Sequence, residues 1–309
     1  NAAATARGLA SLSGDEKHPK VDTFLARHRA MKKDMASLPA TKNAVLSSEF
    51  FSGFSPKSWD LFFKEFSPDH YDVSVIYYIR NQLDQIQSAL GQSVKGGRRV
   101  NPVAFGKRAV EQKRFLDYAG LLDTLRTFPF QTCILRPYDR KLLVEGDIGC
   151  DLFAQLATLV GASSNTYRPD SGQDRNLSLS AKGVHVKNFF NKTKPKTDEN
   201  DALLAALHKV NFGDRTQPAS YIDPSEVFWI SQLFKDGNAL LVKELGEDFD
   251  TVANSKTAKL PLLDISVRPP QSDIDMAMDA LYQAAPDSPA LRGVVKRIEP
   301  FAIRRRSSA

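Results

Sequence analysis

Three apolar runs along the chain have the length and composition of buried β-strands. They cover residues 44–47, 71–80 and 130–136, and the middle run, "YDVSVIYYIR", is rich in β-branched and aromatic residues. Segments whose apolar residues recur at helical spacing follow these runs. Strands that alternate with helices predict an α/β fold in which a parallel sheet is joined by right-handed crossovers.

Start and stop signals delimit several of the helical segments. Ser55 and Asp223 are predicted N-cap residues, and each is followed by a proline, which fits the first position of a helix. Asp147 and Gly161 bracket another helix, and Ser180 begins a further one. Other helices are predicted over residues 20–37, 81–95, 103–113, 115–127 and 272–285, with a linker at 191–201 and an irregular stretch at 251–273.

The C-terminal part of the chain has a different pattern. Its strongest feature is the amphipathic helix predicted for "DPSEVFWISQLFKDGNALLVKELG". We therefore predict an α/β core over residues 1–214 and a mainly helical C-terminal extension over residues 215–309 that packs on this core.

Composition and charge narrow the classes of function. The chain has 309 residues and a formal net charge of +6, so its surface is mildly basic and suits an anionic ligand. Part of the excess belongs to the tail "RRRSSA", and aromatic residues do not interleave with the basic ones, so no nucleic-acid partner is expected. No run of about 18 apolar residues occurs, so no membrane span is expected. The two cysteines fit a reducing compartment, and we expect a cytoplasmic protein.

The cysteines and histidines show no metal-binding pattern. Cys133 and Cys150 do not form a CxxC pair, and the histidines lack metal-ligand spacing. Cys133 lies within the apolar run "FQTCILRPY" and is most simply a core residue. We therefore expect no metal site.

The middle apolar run ends on Arg80, and the helical segment after it carries Ser88. An arginine at the end of a strand can simply reach the solvent. Ligands of parallel sheets, however, bind at the carboxyl ends of strands, and a helix that starts at Asn81 offers free N–H groups. Arginine and serine both donate hydrogen bonds to phosphate, whereas Asp84 disfavours a nearby anion. The junction is thus either structural or half of a phosphate site.

The order of several short blocks resembles the sulfotransferases that use 3′-phosphoadenosine 5′-phosphosulfate (PAPS). In those enzymes, a strand that ends in arginine and a serine of the following helix bind the 3′-phosphate. The blocks "VLSSEFF", "YYIRNQLDQIQSAL", "LDYAGLL", "ILRPYDR", "GDIGCDLFAQL" and "NLSLS" look like bacterial sulfotransferase-family proteins associated with polysaccharide modification. The resemblance covers residues 44 to about 195. It implies a three-layer, P-loop-like parallel sheet flanked by helices, PAPS as co-substrate, and a carbohydrate or glycoconjugate acceptor.

The chain departs from this family at its start. Enzymes of the family begin with a strand and a loop, often GxxKTGTT, that cradles the 5′-phosphosulfate with backbone N–H groups and a lysine. No glycine-lysine-threonine cluster precedes Val45. We therefore expect that the chain lacks the first strand and this loop, either as a truncated enzyme or as a degenerate homologue. The resemblance does not predict activity for these 309 residues alone.

Strand-end positions and the resemblance together name the main candidate site residues. Glu49 follows the first apolar run and is the candidate base for the acceptor hydroxyl, or else a surface residue that caps a turn. Arg80 and Ser88 are expected to bind the 3′-phosphate of PAPS. Ser47 and Ser48 are further candidates for contacts with the donor or the acceptor, or else ordinary turn residues.

Four more residues are candidates for substrate or cofactor contacts: Arg136, Asn176, Ser178 and Lys187. Arg136 ends its strand as Arg80 does, although a salt bridge to Asp139 or Asp147 is the alternative role. The asparagine and the serine belong to the "NLSLS" block. Lys187 precedes the basic segment "NKTKPK", and sulfotransferases often close a basic loop over the nucleotide.

The sequence leaves two main classes of function open. The first is a sulfotransferase-like protein that transfers a sulfuryl group from PAPS to a carbohydrate hydroxyl. The second is a non-catalytic module that retains the fold and binds an anionic glycan or a protein through its basic face. A P-loop kinase or related transferase ranks last, because it needs a Walker-type lysine that the sequence does not contain.

Overall fold

A computed structural model describes residues 33–34, 37, 43–46, 54–111, 116–162, 179–212 and 218–302. Within these residues the fold is mixed α/β and mostly helical, with 11 α-helices and one two-stranded parallel sheet. The sheet consists of β1 (Ser74–Ile79) and β2 (Thr132–Pro137). No helix of the described part is long and apolar enough to cross a membrane.

The α-helices of the described residues are numbered along the chain. In chain order they are α1 (Pro56–Glu65), α2 (Gln82–Lys95), α3 (Pro102–Glu111), α4 (Tyr118–Arg126), α5 (Ile148–Leu159), α6 (Ala181–Phe190), α7 (Thr197–Lys209), α8 (Pro224–Leu245), α9 (Asp250–Ala253), α10 (Gln271–Ala284) and α11 (Pro289–Ala302). Short 3-10 turns occur at Val144–Gly146, Asn191–Thr193, Glu247–Phe249 and Thr257–Lys259.

Two of the three predicted strands are confirmed, and they pair in parallel. Before the strands begin, the Gln131 N–H donates to the Val73 carbonyl at 2.8 Å, and after they end, the Tyr138 N–H donates to the Ile79 carbonyl at 2.6 Å. Both strands therefore run in the same direction. Their register shifts by one residue between the two bonds, because Pro137 has no N–H and the following residue donates instead. This agrees with the prediction of an α/β fold with parallel pairing.

The strand predicted over residues 44–47 is wrong as far as the structure describes it. Residues 43–46 have no regular secondary structure and are exposed, and Val45 keeps 58% of its surface accessible. A short apolar run becomes a strand only where a neighbouring strand supplies hydrogen bonds and a face to cover it. Neither is present for these four residues in the described part of the chain.

The chain divides into two compact units. The first consists of Asn1–Tyr77 and Asp117–Leu135, and the second of Tyr78–Leu116 and Arg136–Ala309. In the first unit, an aromatic cluster forms the core around Trp59, whose ring lies 4.9 Å from that of Phe54 and 5.1 Å from that of Phe130. Edge-to-face contacts of this kind stabilise a core beyond the area that they bury.

The second unit is built on two helical cores. The larger core collects buried side chains of α2, α6, α7, α10 and α11, including Leu90, Phe190, Leu203 and Ile274. The smaller core packs Leu83 and Ile86 of α2 against residues of α3 and α8. The predicted boundary between residues 214 and 215 stays a prediction.

Most predicted helix starts are confirmed by their side chains. Ser55, Asp147, Ser180 and Asp223 each accept a hydrogen bond from a backbone N–H of the first turn. Such bonds satisfy N–H groups that have no partner inside the helix. The predicted helix over residues 20–37 falls almost wholly outside the described part.

The predicted linker at 191–201 and the end of the chain differ from the structure. Helix α7 begins within this linker at Thr197, because the Glu199 carboxylate accepts from the Lys196 N–H at 2.7 Å and Leu203 is buried one turn later. Helix α11 was not predicted. Its side chains Leu291, Val294 and Ile298 recur at helical spacing and are buried in the larger core.

Candidate functional site at the strand ends

Arg80 and Tyr138 lie next to each other at the carboxyl ends of β1 and β2. The Tyr138 N–H donates to the carbonyl of Ile79, which holds the two strand ends side by side. The Arg80 guanidinium carbon then lies 4.6 Å from the centroid of the Tyr138 ring. This distance is typical of a cation–π interaction, in which the ring attracts the guanidinium that lies over it.

Arg136, near the end of β2, is neutralised by a buried carboxylate. Its guanidinium donates to both oxygens of Asp151, at 3.2 Å from Nε and 2.6 Å from the terminal nitrogen, and also to the Leu142 carbonyl at 3.1 Å. Asp151 is fully buried on α5. The predicted alternative of a salt bridge is confirmed, but the partner is Asp151 instead of Asp139 or Asp147.

Two further donors complete the surroundings of Asp151. The Tyr78 hydroxyl donates to Oδ2 at 2.7 Å, and the Val144 N–H donates to Oδ1 at 3.2 Å. Burial opposes ionisation of this carboxyl, but the hydrogen bonds from Arg136 and Tyr78 outweigh it and lower the pKa of Asp151. Burial and the bond to Asp151 raise the pKa of the Tyr78 hydroxyl. Asp151 is therefore charged and Tyr78 is a neutral donor, so the cluster is structural.

The residues after β2 are held by a second ion pair. Asp139 is buried and accepts from the Lys256 amine at 2.9 Å and from the Lys141 N–H at 3.1 Å. Burial opposes ionisation of Asp139, but these two bonds outweigh it and lower the pKa of its carboxyl. The turn that follows Tyr138 is thus fixed, and with it the ring under Arg80.

Arg80 differs from Arg136 in having no counter-charge in the described part of the chain. No carboxylate among those residues lies within salt-bridge distance of its guanidinium, which lies over the Tyr138 ring. The side chain is half-buried. A guanidinium group that has a fixed position but no counter-charge suits an anion with several oxygens.

The start of α2 is ordered by side-chain amides. Asn81 caps the helix by accepting from the Leu83 N–H at 2.9 Å, and it donates to the Val252 carbonyl at 2.7 Å. Gln82 and Asn238 exchange two hydrogen bonds of 2.8 and 2.9 Å. These bonds fix the direction in which the chain leaves Arg80.

Asp84, the residue expected to oppose an anion, is occupied by other donors. Its carboxylate accepts from the Ser255 hydroxyl at 2.7 Å, from the Thr257 N–H at 2.9 Å and from the Lys256 N–H at 3.3 Å. These bonds direct its charge toward the turn Thr257–Lys259. Ser88 lies one helical turn after Asp84 on the same face of α2 and is half-buried.

Lys187 lies at the opposite end of α2. Its side chain is fully buried, and its amine donates to the side-chain oxygens of Asn191 and Asn200 and, at 3.5 Å, to the Val94 carbonyl. Burial lowers the pKa of Lys187 to about 7. Helix α2 has 14 residues and is therefore about 20 Å long, which separates this amine from Arg80.

The structure therefore gives Lys187 a structural role. The last carbonyls of a helix have no partner within it, and a positive charge near them is favourable. Asn191 donates to the Val94 carbonyl at 2.8 Å, and Asn200 donates to the Lys95 carbonyl at 2.9 Å. Together with Lys187, they cap the C-terminal end of α2.

Several predicted site residues lie outside the part of the chain that the structure describes: Ser47, Ser48, Glu49, Asn176 and Ser178. Sequence reasoning missed Tyr138 and Asp151. A signal for Asp151 was present, because it is an acidic residue within the apolar helix "IGCDLFAQLATL" and does not serve as its cap. An ionisable residue at such a position requires a partner.

Among the residues described, no group of three or more His, Cys, Asp or Glu side chains is arranged to hold a metal ion. Comparison of the chain with protein-family models finds no match. Neither curated proteins nor solved structures match it.

Proposed function

We propose that the chain is a sulfotransferase-like protein and that Arg80 binds the 3′-phosphate of PAPS at the carboxyl end of β1. The observation that carries the proposal is the contrast between two arginines on neighbouring strands. Arg136 is neutralised by Asp151, whereas Arg80 lies over the Tyr138 ring without a carboxylate partner in the described residues. An arginine at a strand end that has no carboxylate partner is suited to a phosphate ligand.

Each residue has a defined part in the proposed site. Arg80 supplies a planar set of donors for two phosphate oxygens, and Tyr138 limits its rotation. Ser88 supplies a hydroxyl donor from α2. The bonds that Asp84 makes to residues 255–257 direct its charge away from an incoming anion.

The reaction itself belongs to residues outside the described part. In sulfuryl transfer, the acceptor oxygen forms a bond to sulfur as the bond between sulfur and the phosphate oxygen breaks. Adenosine 3′,5′-bisphosphate leaves, and Glu49 is the proposed base that takes the acceptor proton. The three-layer, P-loop-like sheet and a phosphosulfate loop are part of this proposal.

The nucleotide site is tested by the substitution Arg80→Ala in the full-length gene product. We expect adenosine 3′,5′-bisphosphate to bind more weakly by about 1.5–3 kcal/mol, because a hydrogen bond between charged groups is lost. Isothermal titration calorimetry measures this difference as about a 10- to 150-fold change in Kd. Ser88→Ala is expected to have a smaller effect, about 0.5–1.5 kcal/mol.

Arg140→Ala is the matched control, because it removes an exposed arginine close to the end of β2. It should leave the Kd within about twofold of wild type, since an exposed charge outside a site contributes little. Equal affinity in the Arg80 and Arg140 variants would contradict the proposed phosphate site. Binding of the bisphosphate without sulfuryl transfer to any carbohydrate would instead favour the non-catalytic module.

A further inference from the structure

A cavity of about 270 Å³ begins one residue after Arg80 and lies within the second unit. Asn81, Gln82 and Leu83 line it from the start of α2, and α8 forms the facing wall. Its volume is close to the lower end of the range for small-molecule sites, about 300 Å³.

One side of the cavity is rigid, because its amides are satisfied. Both amide N–H bonds of Gln82 are used, toward Asn238 and the Leu116 carbonyl. Asn238 likewise donates to Gln82 at 2.9 Å and to the Val252 carbonyl at 3.4 Å. These residues shape the cavity but have no N–H left for a ligand.

The other side carries polar groups that have no partner. Ser231, Gln232 and Lys235 of α8 line the cavity and are exposed. Across the described part of the chain, none of these three side chains has a hydrogen bond or an ion pair. A hydroxyl, an amide and an amine on one face of a helix can donate to and accept from a ligand rich in hydroxyl groups.

An uncovered aromatic ring continues this face of α8. Phe228 precedes Ser231 and Gln232 by one helical turn and Lys235 by two turns, so the four side chains lie in one stripe. Phe228 is 68% exposed, the highest value among the large hydrophobic side chains of the described residues. Trp229 is also exposed but points about 100° away around the helix.

We propose that this cavity and Phe228 bind an acidic saccharide, which is the acceptor that the proposed function requires. A sugar ring presents hydroxyl groups at its edge and C–H groups on its face, which match the polar wall and the aromatic ring. Lys235 selects a carboxylate or sulfate substituent on the sugar. Asn81, which follows Arg80 in the chain, lines the cavity and so connects the saccharide site to the strand end proposed for the donor. The inference rests on the proposed function.

The test measures how one charged oligosaccharide, one uncharged oligosaccharide and the nucleotide bind to the full-length protein. A hyaluronan tetrasaccharide is the acidic probe, chitotetraose is the neutral probe, and adenosine 3′,5′-bisphosphate reports on the donor site. We expect Phe228→Ala and Lys235→Gln each to raise the Kd for the acidic tetrasaccharide by about tenfold. Chitotetraose should bind wild type more weakly than the acidic probe, and Lys235→Gln should not affect it.

Matched controls lie on the same helix. Trp229→Ala removes an exposed aromatic residue and Lys243→Gln an exposed lysine, both outside the cavity lining, and neither should change binding of the tetrasaccharide. Equal effects of Phe228→Ala and Trp229→Ala would overturn the proposal, as would the absence of tetrasaccharide binding to wild type. Weaker nucleotide binding in the Phe228 and Lys235 variants would mean that the cavity binds the donor nucleotide, and would also overturn the proposal.

The same experiment separates this inference from the proposed function. If Arg80→Ala leaves the bisphosphate affinity unchanged while Phe228→Ala weakens the tetrasaccharide, the sulfotransferase assignment fails and the saccharide site stands. If Arg80→Ala weakens the bisphosphate while the cavity variants bind the tetrasaccharide like wild type, the saccharide site fails and the nucleotide site stands.

Discussion

Arg136 and Lys187 both lie in the second unit and are largely enclosed by protein, but different groups balance their charges. Arg136 donates to both oxygens of the buried Asp151 carboxylate. Lys187 donates only to neutral oxygens, two from asparagine side chains and one from the backbone. The hydrogen bonds that Arg136 donates to Asp151 raise the pKa of Arg136, whereas burial lowers the pKa of Lys187 to about 7.

The comparison separates two ways of placing a cation inside a protein. A carboxylate partner stabilises the charged form but creates a pair in which neither member can be removed alone. Neutral oxygens satisfy the hydrogen bonds of an ammonium group without offsetting its loss of hydration. The first arrangement should therefore be sensitive to mutation, and the second to pH.

The largest effect is expected for Asp151→Ala. This substitution leaves the Arg136 guanidinium without its counter-charge and removes the acceptor of the Tyr78 hydroxyl. Breaking a buried pair from one side costs about 3–5 kcal/mol of the free energy of unfolding. Denaturant unfolding followed by circular dichroism measures the loss.

Asp147→Ala on the same helix is the control for Asp151→Ala. It removes only the N-cap bonds to the Gly149 and Cys150 N–H groups, which are worth about 1 kcal/mol. Similar losses in the two variants would show that the buried pair contributes no more than a helix cap.

The next effect concerns the pH dependence of stability and is tested with Lys187→Met. The pKa of Lys187 is about 7 in the folded protein and 10.5 as its ordinary value, so between these values the unfolded chain binds more protons. Stability contributed by this residue therefore rises with pH in that window, by at most about 1.4 kcal/mol per pH unit. The difference in unfolding free energy between wild type and Lys187→Met, measured at pH 7, 8 and 9, should grow in favour of wild type.

Lys209→Met, which replaces an exposed lysine of α7, controls for the loss of a surface charge. A constant difference between wild type and Lys187→Met from pH 7 to 9 would mean that Lys187 stays protonated. In that case the three oxygen atoms would offset its burial, and the contrast with Arg136 would disappear.

The smallest effect is expected for Tyr78→Phe. The hydroxyl is one of several donors to Asp151, and the carboxylate keeps its bonds to Arg136 and Val144 in the variant. Loss of one such bond costs about 1 kcal/mol of the unfolding free energy, measured by denaturant titration. Tyr138→Phe removes an exposed hydroxyl as a control. A loss above about 3 kcal/mol for Tyr78→Phe would mean that Arg136 alone does not satisfy Asp151.

The sequence predicted the local features of the site better than its contacts. The strand before Arg80, the helix after it and the N-caps at Asp147 and Ser180 follow from runs of a few residues, and the structure confirms them. The partner of Arg136 was predicted among nearby acidic residues. The observed partner, Asp151, lies one helical turn beyond Asp147 on α5 and accepts hydrogen bonds from the Arg136 guanidinium.

Errors of a second kind arose where burial decides the outcome. The run at residues 44–47 has the composition of a strand, but its described residues are exposed. The linker predicted at 191–201 looked polar, yet α7 begins within it because Leu203 and Leu207 pack into the larger core. Propensity over a short segment is a weak guide wherever packing against distant segments is possible.

The sequence by itself determined the elements around Arg80 and where they begin and end, because caps and hydrophobic periodicity act between residues close in the chain. Only the tertiary structure decided which charged groups are neutralised. In the folded protein, Asp151 pairs with Arg136, and Lys187 is buried with two asparagine side chains as acceptors. Arg80 lies over the Tyr138 ring, and a cavity lies between α2 and α8. These outcomes depend on burial and on partners far apart in sequence, which determine whether a charge is stabilised by a counter-ion, by neutral dipoles or by a ligand.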